Sequence, residues 1–205
     1  MEFTDIVAAR RSVKKYDPHH KISDADLRLL FEQVSLSPSS FNLQHWRFVV
    51  VRDAELKAKL RKAAWDQEQL ETASAVIVVA AMLNAHEDAD RIYSDAPEPV
   101  RQTMIPMISG FYADKPQLQR DEAIRSASLA AMTLMYAAYD MGYATGPMIG
   151  FDPQAVSALV GLDDQHIPVM LIVIGKRVGD MRDRAFRYPL STTVKLESLT
   201  GEGLS

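Results

Sequence analysis

The sequence predicts an α+β fold built around a central sheet. Three apolar runs have the length and composition of strands, at Trp46–Arg52, Ala75–Leu83 and Pro168–Ile174. Segments with a helical spacing of apolar residues lie between them, but helices and strands do not alternate regularly as in a parallel α/β fold. Because the chain has 205 residues, of which 47% are hydrophobic, we expect a single domain over residues 1–205.

Each of the first three predicted helices has a local start or stop signal. A short helix is predicted over Thr4–Arg11, with Thr4 as its N-cap. Ser23 begins a second helix through a capping-box pattern, and Pro38 ends it because the residue before a proline disfavours the helical conformation. Asp53 is predicted to cap a third helix after the first strand.

The middle of the chain gives a weaker signal. Residues 86–119 contain acidic residues and prolines, with an amphipathic piece at Val100–Tyr112, and are predicted to form a variable surface excursion that could act as a lid. A helix rich in small residues then follows at Asp121–Met141, with Gly142 at its C′ position. Its small side chains suit close packing, including packing at a subunit interface.

The last third of the chain contains one more helix and two short features. Gly146–Phe151 is predicted to be a tight turn. Asp152 followed by proline predicts the start of a helix that continues through Val160. Thr192–Leu196 alternates enough to predict a short edge strand.

Composition excludes several classes of protein. The chain has no cysteine, which rules out disulfides, thiolate zinc sites and a cysteine nucleophile and fits a cytoplasmic location. No secretory signal is visible, and the longest apolar run has nine residues where a membrane-spanning helix needs roughly 20. A net charge of −4 does not favour nucleic acid, so we expect neither a membrane nor a nucleic acid as partner.

The common catalytic and metal-binding motifs are also missing from the sequence. It contains no phosphate loop, no dinucleotide fingerprint, no nucleophile elbow and no H-E-x-x-H zinc motif. The five histidines are scattered, and the acidic turn after His86 lacks the glycine and spacing of a calcium loop. We therefore expect no metal site.

A basic cluster follows the first helix, at R-R-S-V-K-K, residues 10–15. One interpretation is a solvated helix end, because cations at a helix C-terminus complement its dipole. The other is an anion site, because guanidinium groups, an ammonium and a hydroxyl suit a phosphate monoester. A second basic pair at Arg184 and Arg187 would add to such a site.

The stretch P-S-S-F-N-L-Q-H-W, residues 38–46, is unusual for a connection between a helix and a strand. It can be explained as a helix end followed by a strand with a core tryptophan. Alternatively, Ser39 and Ser40 permit close approach of a ligand, and Asn42 and Gln44 offer donors and acceptors to the edge of a heterocycle.

Four ordered segments together resemble the nitroreductase family of flavin mononucleotide (FMN) enzymes. They are R-R-S-V-K-K-Y, P-S-S-F-N-L-Q-H-W-R-F, G-P-M-I-G-F-D-P and R-A-F-R-Y-P-L, and they span Arg10 to Leu190. The resemblance implies a nitroreductase-like fold with a central mixed sheet surrounded by helices. It also implies an intertwined homodimer that exchanges C-terminal arms, at about residues 188–205, and builds each FMN site from both subunits.

The resemblance assigns roles to individual residues. Arg10, Ser12 and Lys14, with Arg11 beside them, would meet the phosphate, ribityl chain and pyrimidine side of FMN. Three further groups would line the isoalloxazine ring, make polar contacts with the flavin and back the ring, in that order along the chain, and the basic pair would complete the phosphate end. These residues are Pro38, Ser39, Ser40, Asn42, Gln67, Gln69, Pro147, Met148, Ile149, Gly150, Arg184 and Arg187. Ile149 stands where some relatives have an acidic residue, so only backbone contact is expected there.

The implied chemistry is ping-pong: NADH or NADPH delivers a hydride to FMN, and the reduced flavin then passes electrons to a nitroaromatic, a quinone or a related small-molecule acceptor. No protein side chain need act as a nucleophile or base, and Lys14 is the candidate for electrostatic support of the reduced flavin. The alternatives are a specialised member, such as a dehalogenase or an enone reductase, and a non-catalytic FMN-binding sensor or storage protein. The sequence does not distinguish NADH from NADPH.

Overall fold

The fold is that of a computed structural model, which describes residues 1–204. The strands are β1 (Trp46–Val51), β2 (Ala75–Met82), β3 (Ala144–Met148) and β4 (His166–Gly175). The helices are α1 (Phe3–Ala9), α2 (Asp24–Val34), α3 (Ala54–Ala63), α4 (Gln69–Thr72), α5 (Ala89–Ile92), α6 (Glu98–Tyr112), α7 (Pro116–Asp140), α8 (Pro153–Val160) and α9 (Leu190–Thr193). Short 3₁₀ turns lie at Ser40–Asn42 and Ala85–Asp88. The predicted α+β class is confirmed.

The four strands form one sheet in the order β1-β2-β4-β3. All three ladders are antiparallel, so the prediction of a mixed sheet was wrong for the strands of residues 1–204. Parallel pairing within these residues is limited to an isolated bridge between Ser12 and Thr145. The central strands β2 and β4 are apolar on both faces because helices cover both sides of the sheet.

β3 is an edge strand where the sequence predicted a turn. Pro147 has no N–H to donate, and proline is tolerated in a strand that has a neighbour on one side only. Among the strands β3 pairs with β4, from Ala144 opposite Gly175 to Met148 opposite Leu171, and its other side carries only the single bridge from Ser12 to Thr145. Glycine and proline are turn signals in a sequence, so Gly146 and Pro147 led to the prediction of a turn where the structure has this strand.

The long helix α7 packs on one face of the sheet through its small residues. Ala123, Ala127, Ala131 and Ala138 are fully buried there, in the same core as Ile77 of β2. The helix begins at Pro116 instead of the predicted Asp121, since proline fits the first turn, where its missing N–H costs nothing.

Side-chain caps begin three helices as the sequence predicts. Ser23 accepts a hydrogen bond from the Asp26 N–H at 3.0 Å, and Asp53 accepts one from the Leu56 N–H at 2.8 Å. Asp152 accepts from the first turn of α8. The prediction of Thr4 as a cap was wrong, because α1 begins at Phe3 with Glu2 preceding it.

The excursion and the tail differ from each other in packing. Within residues 86–119, α5 and α6 bury a small core around Ala89, Ile108 and Tyr112, which they share with Leu43. The tail is exposed from Val178 to Thr200. The predicted strand at residues 192–196 was wrong: α9 ends at Thr193, and Lys195 forms a single bridge with Gly203.

Within residues 1–204, no helix is both long and apolar enough to cross a membrane.

Candidate functional site

The basic segment after α1 runs along the edge strand β3. The Val13 N–H donates to the Thr145 carbonyl at 3.0 Å, next to the bridge between Ser12 and Thr145. Gly146 permits this approach, because a Cβ atom there would lie 2.7 Å from the Val13 carbonyl oxygen. The sheet edge therefore fixes the positions of the side chains on either side of Val13.

Five arginines, two after α1 and three near the C-terminus, line one cavity of about 200 Å³ together with Asp183. They are Arg10, Arg11, Arg182, Arg184 and Arg187. Within residues 1–204, none of them forms an ion pair with a carboxylate. Desolvation and then the positive charges of Arg11, Arg187 and Arg10 lower the pKa of Arg184. Such an excess of positive charge favours an anionic ligand.

The guanidinium groups of this cavity are not equivalent. Arg11 donates to the Ala8 carbonyl at 2.7 Å, and Arg184 donates to the same carbonyl at 2.8 Å. These two arginines therefore cap the C-terminus of α1, as the interpretation of a helix end predicted. Arg10 Nη1 is buried without a hydrogen-bond partner, and so is Arg11 Nε, but Arg11 already donates through its Nη1 to the helix end. Arg10 is the group best placed to serve a ligand.

A polar network lies farther along the same edge of the sheet. Lys14 Nζ donates to Gln67 Oε1 at 3.4 Å, and Gln69 Nε2 donates to the same oxygen at 2.9 Å. Gln67 Nε2 in turn donates to the Gly150 carbonyl at 3.1 Å. The structure thus brings together Lys14, Gln67, Gln69 and the end of the segment Pro147–Gly150, as the sequence predicted from separate motifs.

Several residues near this site were missed by sequence reasoning. A cavity of about 230 Å³ beside Ser12 and Lys14 is also lined by Lys15, Arg177 and Arg182. Lys15 belongs to the basic segment of residues 10–15, and Arg177 and Arg182 belong to the basic stretch after Gly175, of which Arg184 and Arg187 were predicted as site residues. Trp65, whose ring lies against Gly150, was also missed because its contact is with a residue that is distant in sequence.

The segment Pro38–Trp46 has an unusual backbone. Phe41, Asn42 and Gln44 have positive φ angles of 50°, 56° and 49°, a conformation that is costly for residues other than glycine. Ser39 Oγ stabilises it by accepting a hydrogen bond from the Gln44 N–H at 2.9 Å. Strained backbone that its surroundings hold in place is common at ligand sites.

Helix α6 and its neighbour support this segment from one side. The Tyr112 hydroxyl donates to Ser40 Oγ at 2.9 Å, and the Tyr93 hydroxyl donates to the Phe41 carbonyl at 3.2 Å. His45 is buried, with its Nδ1 unpartnered, and burial lowers its pKa to about 4. The segment is therefore a fixed part of the fold.

The two halves of the predicted site lie at opposite corners of the sheet. Trp46 pairs with Ala81 and, through it, with Ile167, whereas Thr145 pairs with Ile174. β1 and β3 are separated by three strand pairings, and Ile167 and Ile174 are seven residues apart along β4. Together these two offsets place the corners roughly 25 Å from each other. One chain does not bring Pro38–Asn42 to the arginines or to Lys14.

Comparisons with known proteins agree with the motifs. A family model described as the nitroreductase family matches residues 7–176. The protein DrgA of Synechocystis is 43% identical over 88% of this chain and 86% of its own length. MhqN of Bacillus subtilis, provisionally named an NAD(P)H nitroreductase, is 40% identical over 95% of this chain and 98% of its own.

Two solved structures have the same fold. A protein of Exiguobacterium sibiricum, provisionally described as a nitroreductase and solved in complex with FMN, matches with a TM-score of 0.90 and 34% identity over 96% of this chain and 98% of its own. The enone reductase CLA-ER, described as acting in a gut-bacterial fatty acid saturation pathway, matches with a TM-score of 0.86 and 27% identity over 96% of this chain and 98% of its own.

Proposed function

The chain belongs to the nitroreductase family, a family of oxidoreductases, and on that premise we propose that it uses FMN to carry electrons from NADH or NADPH to nitroaromatics, quinones or related acceptors. The observation that carries the proposal is the set of five arginines, none in an ion pair with a carboxylate among the described residues, around the buried, unpartnered Nη1 of Arg10. A phosphate monoester carries nearly two negative charges at pH 7 and fits this environment.

The rest of the site fits FMN residue by residue. Arg10 would bind the phosphate, with Arg187 as a second donor, while Arg11 and Arg184 hold α1 and add positive charge. Ser12 would meet the ribityl chain. The amides of Gln67 and Gln69 would contact the polar edge of the ring, and the backbone of Pro147, Met148, Ile149 and Gly150 would lie behind it.

When bound, FMN supplies the redox chemistry by accepting a hydride from the nicotinamide and passing electrons to the acceptor. The protein's part is to bind and orient. The ammonium of Lys14, held by Gln67 Oε1, supplies a positive charge at the polar end of the site, where negative charge increases on reduction. This role requires no proton transfer by a side chain.

We propose further that each site is completed by a second copy of the chain. Pro38, Ser39, Ser40 and Asn42 lie beside the corner of the sheet at Trp46, roughly 25 Å from the corner at Thr145 that carries Ser12, a separation inferred from the strand pairings. These residues therefore serve the flavin of the partner subunit. A homodimer with exchanged C-terminal arms, each subunit being a single domain, is consistent with the exposed tail, and the cysteine-free chain fits a cytoplasmic location.

The test begins with the purified protein and its absorption spectrum. We expect a yellow protein with FMN bound, which oxidises NADH or NADPH in the presence of menadione or a nitrofuran. Protein that stays colourless after incubation with FMN would contradict the proposal. If FMN binds but neither nicotinamide reduces it, the sensor or storage role is favoured.

A double substitution tests the phosphate assignment. Arg10→Ala with Arg187→Ala should weaken FMN retention at least about tenfold, since each charge-assisted hydrogen bond contributes on the order of 1.5 kcal/mol. Arg52→Ala is the matched control, because Arg52 is a surface arginine paired with Asp24 at 2.6 Å and lies outside the arginine cavity. Equal retention in the double variant and the control would refute the assignment.

The second candidate function is a specialised reductase, and the likeness to an enone reductase favours it over dehalogenation. The specialised role can be separated from general quinone and nitroaromatic reduction by measuring turnover with an α,β-unsaturated ketone and with menadione as the acceptor. A higher kcat/KM for the enone would favour the specialised role.

A further inference from the structure

Trp65 is exposed at the end of the candidate site. Its exposed fraction is 72%, whereas that of Trp46, the other tryptophan of the chain, is 8%. Tryptophan is a large apolar residue, and most of its surface is normally buried. Its exposure here requires an explanation.

The backbone holds Trp65 in this position at a cost. Trp65 and Asp66 have consecutive positive φ angles of 52° and 57°, a conformation that is strained for residues other than glycine. The turn is stabilised by the Asp66 N–H, which donates to the Arg61 carbonyl at 3.0 Å, and by an Arg61–Asp66 ion pair. The fold therefore maintains a strained turn that displays an indole ring.

The ring lies directly beside the predicted cofactor contacts. A Cβ atom on Gly150 would come within 2.9 Å of Trp65 Cζ3, 3.2 Å of Cε3 and 3.5 Å of Gln67 Nε2. The six-membered part of the indole thus packs on the Gly150 backbone, next to the amide that joins Gly150 to Lys14. The neighbouring Ile149 side chain is 79% exposed.

We propose that Trp65 is a specificity-determining residue that stacks on the ring of a planar aromatic electron acceptor. This inference rests on the proposed function, since it concerns the acceptor that shares the site with FMN. The polar groups of Lys14, Gln67 and Gln69 are engaged with one another, and the adjoining surface is a flat apolar ring beside an apolar side chain. Such a surface selects quinones and nitroaromatic compounds over acceptors that cannot stack.

A fluorescence titration tests the contact separately from turnover. In the FMN-loaded Trp46→Phe variant, Trp65 is the remaining tryptophan, and menadione added without a nicotinamide should quench its emission saturably. The matched control is Trp65→Phe, which retains the buried Trp46 and should show no saturable quenching. Equal quenching in the two variants would overturn the proposal.

Steady-state kinetics tests the selectivity. Trp65→Ala should raise the KM for menadione about fivefold, with kcat changed less than about twofold, and Trp65→Phe should restore most of the affinity. For ferricyanide, an octahedral acceptor that cannot stack, we expect little change in KM, so the selectivity ratio falls about fivefold.

Two results would overturn the proposal while leaving the proposed function intact. One is an unchanged KM for menadione in Trp65→Ala. The other is an equal loss for menadione and ferricyanide accompanied by loss of FMN, which would mean that Trp65 only supports the fold. If wild-type protein retains no FMN, the proposed function itself fails, and the flavin spectrum reports that outcome before any variant is measured.

Discussion

The charge of a single side chain makes the stability of this protein depend on pH. His45 is 2% exposed, and burial lowers its pKa to about 4 from an unfolded value of about 6.5. Between these two pKa values, His45 therefore binds a proton in the unfolded state but not in the folded state. The contribution of neutral, buried His45 to the free energy of unfolding is fully present above about pH 6.5 and is lost as the pH falls from there towards 4.

We expect the free energy of unfolding to fall by about 2 kcal/mol between pH 7 and pH 4.5 because of His45. Urea denaturation at a series of pH values measures it. His45→Gln should flatten the profile in this window, while His19→Gln, at an exposed position, should leave it unchanged. A profile of His45→Gln as steep as that of the wild type would contradict the assignment. The series stops at pH 4.5 because the pKa of Asp26, lowered by the Tyr143 hydroxyl, produces a separate loss of stability at lower pH.

At the scale of elements, the contact between β3 and the basic segment depends on one glycine. A methyl group on Gly146 would lie 2.7 Å from the Val13 carbonyl oxygen, a backbone atom that can move only with its whole segment. Gly146→Ala should therefore destabilise the protein by about 2 kcal/mol and weaken FMN retention, because Ser12 and Lys14 move with Val13. Thermal unfolding and bound flavin per chain measure the two effects.

Gly110 provides the matched control for that substitution. It lies inside α6, and a Cβ atom there would meet nothing within 4 Å. Gly110→Ala should raise the free energy of unfolding by about 0.5–1 kcal/mol, since alanine is the better helix former. If the two alanine variants were equally stable, the close approach at Gly146 would not be a constraint.

Elements with local signals were predictable from the sequence, and elements defined by their neighbours were not. Ser23, Asp53 and Asp152 begin helices because each side chain accepts a hydrogen bond from the first turn that it precedes. β3 was missed because Pro147 is compatible with a strand only at the edge of a sheet, and no local pattern specifies an edge. The antiparallel direction of every ladder depends equally on tertiary pairing.

At the scale of the whole molecule, the sequence predicted which residues form the candidate site but not how they are arranged in space. The arginines at both ends of the chain share a cavity, and Gln67 joins Lys14 to Gly150, as the motifs implied. That Pro38–Asn42 lies at the opposite corner depends on the strand order β1-β2-β4-β3, which residues far apart in sequence determine. The side chain of Trp65 was missed because its role depends on a neighbour, Gly150, that is distant in sequence.

The exposed tail provides the test of assembly. Tyr188, Leu190 and Leu199 are 65%, 59% and 93% exposed in the single chain, and an arm with so much apolar surface is stabilised when a partner covers it. A chain ending at Arg187 keeps all five arginines of the cavity. If the flavin site were complete within one chain, this truncation would leave FMN retention unchanged. We expect instead that it shifts the protein from dimer to monomer in analytical ultracentrifugation and that FMN is lost in parallel, because Ser39 and Ser40 then no longer reach the partner's flavin. A truncated protein that stays dimeric with its flavin bound would show that the arm is dispensable, and a monomer that retains FMN would show that the site does not require two chains.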